Sequence, residues 1–384
     1  MNPAGHPSLS PSELARYGRQ LVLPEVGRPG QERLKGARVL LVGAGGLGSP
    51  VALYLAAAGV GRLTLVDGDR VERSNLHRQI LYGESDVGRP KLEAAAARLR
   101  EANPHVEVRP VAERFTAANA AALVADHDVV VDGTDNFTAR YLVNDACVLA
   151  GKPNVFGSVL RFEGQVSVFW SPRGPCYRCL FPEPPPAGLV PSCAEAGVLG
   201  ALPGIVGALQ ANEALKLVLG VGEPLVGRFL VFDALALRFR EVALPRSPSC
   251  PICSAHPTVT ELVEIDAACD LAAPGGEEMA MDLTPREMKQ WRDEGRDFVL
   301  LDVRTPREHA LASLPGALLI PLQELPQRVD ELDPAADIVV HCHHGQRSER
   351  AAAFLRGQGF ASVRNLAGGI DAWSDQVDPD VPRY

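Results

Sequence analysis

The feature that most constrains this chain is one continuous stretch in which three local structures follow one another. The apolar run Ala37-Arg38-Val39-Leu40-Leu41-Val42 leads into Gly43-Ala44-Gly45-Gly46-Leu47-Gly48, and helical spacing continues through "SPVALYLAAAGV". A strand, a glycine turn and a helix start form the setting in which a backbone can approach phosphates, because the helix start carries positive potential. A second apolar run, "GRLTLVDGD", ends at Asp67, where a ribose-binding carboxylate belongs. A third, "HDVVVDGTDN", repeats the strand-then-loop pattern, and "TARYLVNDACVLAG" reads as a helix closed by glycine. Alternation of this kind predicts an α/β fold: a Rossmann-like nucleotide-binding domain around a parallel sheet. "LRFEGQVSVFW" alternates apolar and polar residues and predicts an antiparallel strand, which makes the sheet mixed.

One such unit does not account for 384 residues. Residues 1–256 read as the first domain. The acidic, weakly periodic stretch 257–280, with its Pro-Gly-Gly, reads as a linker. From 281 to 384 a smaller α/β pattern restarts. "LTPREMKQWRDEG" has Thr284 as helix N-cap, Pro285 in the first helical position and Glu287 three residues after the cap. "DFVLLDVR" and "ADIVVHC" are buried strands, and "RSERAAAFLRGQG" is a helix.

The formal net charge of −9 argues against a nonspecific nucleic-acid binder and offers no hint of a membrane-surface patch. The opening "MNPAGHPSLS" lacks the layout of a secretory signal, and the most apolar stretch is interrupted by Pro203, Glu213 and Lys216, so a cytoplasmic protein is expected.

The residues after the second strand are wrong for a nicotinamide enzyme. Asp67, Asp69, Arg73, Ser74, Asn75, Arg78 and Gln79 cluster there, and Lys91 opens the next helix. Cations near phosphates suit a triphosphate about to be cleaved, because charge develops there in the transition state. Asp135 stands at the end of a later strand, where a carboxylate can hold Mg2+. Together with "RYGRQ", "SNLHRQ" and "DGTDNFTARYLVND", these residues resemble the ubiquitin-activating-enzyme superfamily. Within it the stretch is most similar to the adenylyltransferases that activate ubiquitin-like sulfur carriers for molybdopterin and thiamine synthesis. The resemblance covers residues 10–256. It implies binding of ATP and Mg2+ and adenylation of the C-terminal glycine of a carrier protein ending in Gly-Gly. It implies nucleotide contacts from Gly43, Gly45, Gly46, Asp67, Ser74, Asn75, Leu76, His77, Arg78, Lys91, Asp135 and Asn136. It also implies a homodimer in which Arg19 reaches the phosphates bound by the neighbouring subunit.

Two Cys-x-x-Cys pairs, Cys176/Cys179 and Cys250/Cys253, each present two thiolates on one tight turn. Two such pairs make a tetrahedral site. Their long separation suits a structural zinc that staples distant parts of the first domain, and the resemblance places Zn2+ at the same four positions. Cys193, in the Pro- and Gly-rich stretch "VPSCAEAGVLG", is a candidate for a thioester or disulfide with the carrier; a small buried residue in a turn is the plainer reading.

"HCHHGQRS" carries Cys342 at a strand end with a helix just beyond. Backbone N–H groups of such a turn form an anion nest, with Arg347 and the helix dipole adding positive potential. A thiolate there is a nucleophile. A metal reading is disfavoured, since adjacent His343 and His344 should not both aim at one ion and His341 should point to the other face of its strand. The loop resembles the Cys-x-x-Gly-x-Arg loop of rhodanese-family sulfurtransferases, supported by "LLDVRTPREHALASLPGALLIPL" and "NLAGGIDAW", although Ala312-Ser313-Leu314 replace the usual Gly-His-Ile. The resemblance implies a persulfide on Cys342, supplied by a donor such as a cysteine desulfurase or thiosulfate.

An adenylated carrier is an electrophile and a persulfide is a nucleophile, so their fusion points to formation of a carrier thiocarboxylate. Two alternatives stay open: independent adenylation and sulfur-transfer activities, and a conjugating activator with a lasting thioester on Cys193. A nicotinamide oxidoreductase is disfavoured by the basic cluster and Lys91.

Overall fold

The structure is a computed structural model and describes residues 7–185, 197–264 and 282–383. The chain divides into two compact units, Met1–Leu271 and Ala272–Tyr384.

The first unit is built on eight strands in the order β3-β2-β1-β4-β5-β6-β7-β8. They are β1 (Arg38–Val42), β2 (Arg62–Val66), β3 (Glu107–Val111), β4 (Val129–Asp132), β5 (Asn154–Leu160), β6 (Glu163–Phe169), β7 (Arg228–Asp233) and β8 (Arg238–Ala243). From β3 to β5 every pairing is parallel; from β5 to β8 every pairing is antiparallel. The strand expected over "LRFEGQVSVFW" is β6.

The apolar runs are unbroken because both faces of the parallel part are covered. Val39 and Leu41 of β1, with Val129 and Val131 of β4, face helices α1 (Gly48–Ala58), α2 (Lys91–Ala102) and α5 (Ala201–Leu219) through Val51, Leu55, Leu92, Leu99 and Val206. Leu40, Val42 and Val130 point the other way, onto α3 (Ala117–Ala125) and α4 (Phe137–Ala150) through Val124, Leu142 and Val143. Each fully buried Leu or Val of this core contributes roughly 1.5–3 kcal/mol relative to exposure. Glycines in the left-handed conformation, Gly59 and Gly151, end α1 and α4.

From β1 the chain runs to β2 and β3 on one side and returns to β4 on the other, so the crevice beyond the carboxyl ends of β1 and β4 is the switch point of the sheet. Residues 257–264, read above as the start of the linker, pack against this unit: Leu262 lies on the α3–α4 side, and Glu264 accepts from the Ala117 N–H at 3.2 Å.

The second unit is a five-stranded parallel sheet in the order β11-β10-β12-β13-β9: β9 (Asp282–Leu283), β10 (Val299–Asp302), β11 (Leu318–Leu319), β12 (Asp337–His341) and β13 (Ser362–Leu366). Helix α6 (Pro285–Asp293) starts with the expected capping box: Thr284 Oγ1 accepts from the Glu287 N–H, and the Glu287 carboxylate accepts from the Thr284 N–H. Ala312 and Leu314, in place of the usual Gly-His-Ile, are buried among apolar residues. Among the described residues no helix is long and apolar enough to cross a membrane.

Candidate functional sites

The nucleotide crevice is shaped first by close backbone packing. Gly43 has φ +90°. A Cβ on it would meet the Gly133 carbonyl oxygen at 2.8 Å, and one on Gly48 would lie 2.0 Å from the Gly43 oxygen. These two glycines are required by the fold itself. Gly45 is different: the nearest atom to its added Cβ is Gln79 Nε2 at 3.6 Å. Packing does not demand glycine there. Gly46 faces Pro203 and, at 3.5 Å, Cγ of Arg78, so the arginine lies beside the loop. Helix α1 has no side-chain cap at its start; in its first turn the Ser49 and Val51 N–H groups donate to the Gly45 and Leu47 carbonyls, and Pro50 has no N–H.

The charged residues are already engaged with one another. The Asp67 carboxylate accepts from the N–H groups of Ala44 and Asp69, each at 2.8 Å, and thereby braces the glycine loop. Lys91, at the first position of α2, is buried, with Nζ 2.8 Å from Asp69 and 3.8 Å from Asp67. Arg78 donates to Asn75 Oδ1 at 2.6 Å, and His77 Nδ1 lies 2.9 Å from the Ser74 carbonyl oxygen. Leu76 is packed against the core. Asp135 is exposed in the loop after β4. Asn136 caps α4, its Oδ1 accepting from the Ala139 N–H at 2.8 Å. Arg19 is exposed on the short helix Gly18–Leu21, and its side chain makes no hydrogen bond or ion pair with any other described residue. Tyr82, which sequence reasoning missed, buries its ring and donates to the Ala44 carbonyl at 2.8 Å, holding the same residue whose N–H Asp67 accepts. Burial is the main force that raises its pKa far above the usual phenol value. Cys193 lies outside the described residues.

The Cys176, Cys179, Cys250 and Cys253 sulfurs converge. Separations of 3.4, 3.5 and 3.9 Å link Cys179 with Cys253, Cys176 with Cys250 and Cys176 with Cys179. Four thiolates around one zinc at about 2.3 Å stand about 3.8 Å apart, so the set fits a tetrahedral ion. Hydrogen bonding from Cys176 is the largest cause drawing the Cys179 thiol down to about 4, while Cys176 itself is raised.

In the second unit Cys342 directly follows β12 and is buried. Its sulfur accepts from the Gly345 N–H at 3.1 Å and the Ser348 hydroxyl at 3.3 Å. Gly345, at φ +96°, is the N-cap of α7 (Gln346–Gly357). Of the expected nest one backbone donor, the Gly345 N–H, reaches the sulfur, and the Ser348 hydroxyl, shared with the Gly345 carbonyl at 2.9 Å, is a donor the motif did not disclose. Helix α8 (Gly369–Gln376) holds the loop from beneath: Ile370 N–H donates to Cys342 O and Asp371 N–H to His343 O.

Arg347 departs from expectation. Its guanidinium makes a two-pronged pair with Glu308, at 2.9 and 2.5 Å, so it is no free cation over the sulfur. Burial works to raise the Glu308 pKa, but the Arg347 hydrogen bonds prevail and hold it at about 2. His341 points away from the Cys342 side, to Asp302 at 3.8 Å, as its strand position predicts. His343 and His344 do come together, against expectation: their rings stack at 4.0 Å, and with Asp371 their ligand atoms lie within 4.8 Å of one another. Both Asp371 oxygens, however, accept from Arg383 at 2.8 Å. Burial, then the neighbouring His344, push the His343 pKa down to about 4.

Comparison with known proteins gives a consistent result. The ThiF family model matches residues 17–252 and the rhodanese-like domain model residues 284–376. The chain is 46% identical to the probable adenylyltransferase/sulfurtransferase MoeZ of Mycobacterium tuberculosis, over 98% of this chain and 97% of that one. It is 46% identical to the adenylyltransferase and sulfurtransferase MOCS3 of Sus scrofa, over 98% of this chain and 89% of that one. Among solved structures, E. coli MccB bound to MccA-N7isoASN superposes with a TM-score of 0.57 and 25% identity, covering 65% of this chain and 76% of that one.

Proposed function

The chain belongs to the ThiF family and carries a rhodanese-like domain, and from that premise we propose that its two sites perform successive steps on one small protein. It is an enzyme, an adenylyltransferase and a sulfurtransferase, as its full-length relatives are named. Our reading assigns adenylation to residues 1–256, on which 257–264 of the expected linker 257–280 pack, tethering to the rest of that stretch, and sulfur transfer to 281–384.

In the first step a C-terminal glycine carboxylate of a ubiquitin-like carrier ending in Gly-Gly attacks the α-phosphorus of ATP. The α–β phosphoanhydride bond breaks and pyrophosphate leaves. Gly45, Gly46 and the α1 N-terminus receive the phosphates. Lys91 and Arg78 exchange their internal partners for phosphate oxygens; Ser74, Asn75 and His77 line the same turn, and Asp67 keeps the loop in shape. Asp135 and Asn136 lie at the switch point, Asp135 as the Mg2+ carboxylate. Arg19 is offered to a second copy of the chain. Zn2+ on the four cysteines ties the segment around 176 to the one around 250 and supplies no chemistry.

In the second step the outer sulfur of a Cys342 persulfide, charged by a desulfurase or thiosulfate, attacks the acyl-adenylate carbon and AMP leaves. The resulting acyl disulfide is cleaved when a thiol attacks Cys342 Sγ. Cys193 is our candidate for that thiol. It releases the thiocarboxylate and leaves a Cys193–Cys342 disulfide, which a dithiol reductant of the cell reopens. The linker keeps the second site at high effective concentration, and the free cysteines suit the cytoplasm.

The observation that carries this reading is the seated sulfur of Cys342, held by Gly345 and Ser348, in the same chain as a glycine-loop crevice lined with cations. The test incubates the enzyme with a Gly-Gly-tailed carrier, ATP, Mg2+ and thiosulfate. Mass spectrometry should find one oxygen replaced by sulfur on the carrier. A carrier that is adenylated but never gains sulfur would leave the two activities independent.

A further inference from the structure

The turn between β4 and Asp135 is tied by a set of backbone and side-chain hydrogen bonds. Asp132 ends β4 opposite Val42, and the Gly133 N–H donates to Val42 O at 2.8 Å. Gly133 and Gly43 touch backbone to backbone: a Cβ on either would meet the carbonyl oxygen of the other at 2.8 Å. Within the turn, Asp132 Oδ1 accepts both the Thr134 N–H at 2.9 Å and the Thr134 hydroxyl at 2.6 Å. Arg140 Nη2 donates to Thr134 O at 3.4 Å, with its guanidinium 5.1 Å from the Phe156 ring centre. Gln210 Nε2 donates to Asp132 O at 2.7 Å. Beyond the turn, Asn136 is fixed as the α4 cap. Asp135 is therefore the one exposed residue between two clamped neighbours.

The clamp is costly. Asp132 is fully buried, and its Oδ2 has no hydrogen-bond partner among the described residues. A half-satisfied buried carboxylate is expensive, and a serine or asparagine could close an ordinary turn at less cost.

We propose that Asp132 is a positioning residue for adenylation, which through Thr134 sets the direction of the Asp135 carboxylate toward the Gly43 loop. The proposal rests on the reading of Asp135 as the Mg2+ carboxylate. A misdirected Asp135 binds Mg2+ more weakly, so the effect falls on the metal requirement.

The test measures ATP–pyrophosphate exchange in the full-length protein as a function of Mg2+, with a cooperative melt of the first unit as the fold check. Thr134→Val loses the hydroxyl bond and Asp132→Ala loses both bonds; each should raise the Mg2+ concentration for half-maximal rate, by about tenfold for Asp132→Ala. Thr134→Ser should restore the wild-type value, and Asp132→Asn, which keeps an acceptor oxygen, should stay close to it. A folded Thr134→Val protein with unchanged Mg2+ dependence would overturn the proposal, and it decides alone if Asp132→Ala does not melt cooperatively. Asp135→Ala separates the two levels: exchange surviving in that variant removes the Mg2+ reading itself, whereas its loss beside a normal Thr134→Val removes only the role of Asp132.

Discussion

The two candidate sites lie beyond the carboxyl end of a central strand, one in the parallel part of a mixed sheet and one in a parallel sheet, yet they are prepared in opposite ways. At the first, the groups we propose to meet phosphate are satisfied by their neighbours: Lys91 by Asp69 and Asp67, Arg78 by Asn75. At the second, the sulfur we propose as nucleophile is already seated by two donors, and Arg347 of the same loop is paired with Glu308. The difference follows the chemistry. A highly charged ligand that comes and goes needs cations that are stored in ion pairs and released. A permanent nucleophile needs donors fixed in advance.

The largest effects should fall on one site at a time. Cys342→Ala should abolish thiosulfate sulfurtransferase activity and leave ATP–pyrophosphate exchange unchanged; loss of both would mean that the sites are not separable. Removing metal from the four cysteines with a chelator should lower the melting temperature of the first unit and leave the second in place, read by calorimetry, since structural zinc can carry on the order of 10 kcal/mol of folding free energy.

Glu308→Gln should destabilise the second unit by about 3 kcal/mol, because it leaves Arg347 buried without its charge partner; chemical denaturation followed at the tryptophans Trp291 and Trp373 would read it. The glycine loop gives a contrast within one hexapeptide. Gly48→Ala should prevent stable folding, its Cβ colliding with the Gly43 oxygen, whereas Gly45→Ala should fold normally and only weaken nucleotide binding, measured by ATP titration.

Acid should produce the most gradual change. Burial holds His341 and His343 neutral, with pKa values near 4. The unfolded chain takes up these protons first, so stability of the second unit falls as pH drops from about 6.5 toward 4. Glu308 and Asp302 are held near 2. Their contribution is full above about 4.5 and is lost as pH falls toward 2, and Glu308→Gln should flatten that lower part of the melting profile.

Much of this was legible without coordinates, because it depends on local spacing. The Gly43–Gly48 loop, the Thr284 cap, the strand phase of His341 and Cys342, and the paired Cys-x-x-Cys turns each follow from periodicities of a few residues. What was not legible depends on partners distant in sequence. Tyr82 clamping Ala44, Asp132 holding the turn before Asp135, and Ser348 donating to the Cys342 sulfur carry no pattern of their own.

The tetrapeptide Thr-Pro-Arg-Glu, which occurs twice, separates the two kinds of information. At 284–287 and at 305–308 it starts a helix with the same capping box; this the residues determine alone, since every bond lies within four positions. Glu287 is exposed and does nothing more. Glu308 is turned inward, where Arg347 binds it from 39 residues away. Only the packing of α7 against that turn decided that one of two identical glutamates would become part of the sulfur site, because the free energy of an ion pair depends on burial and approach, which no local sequence specifies.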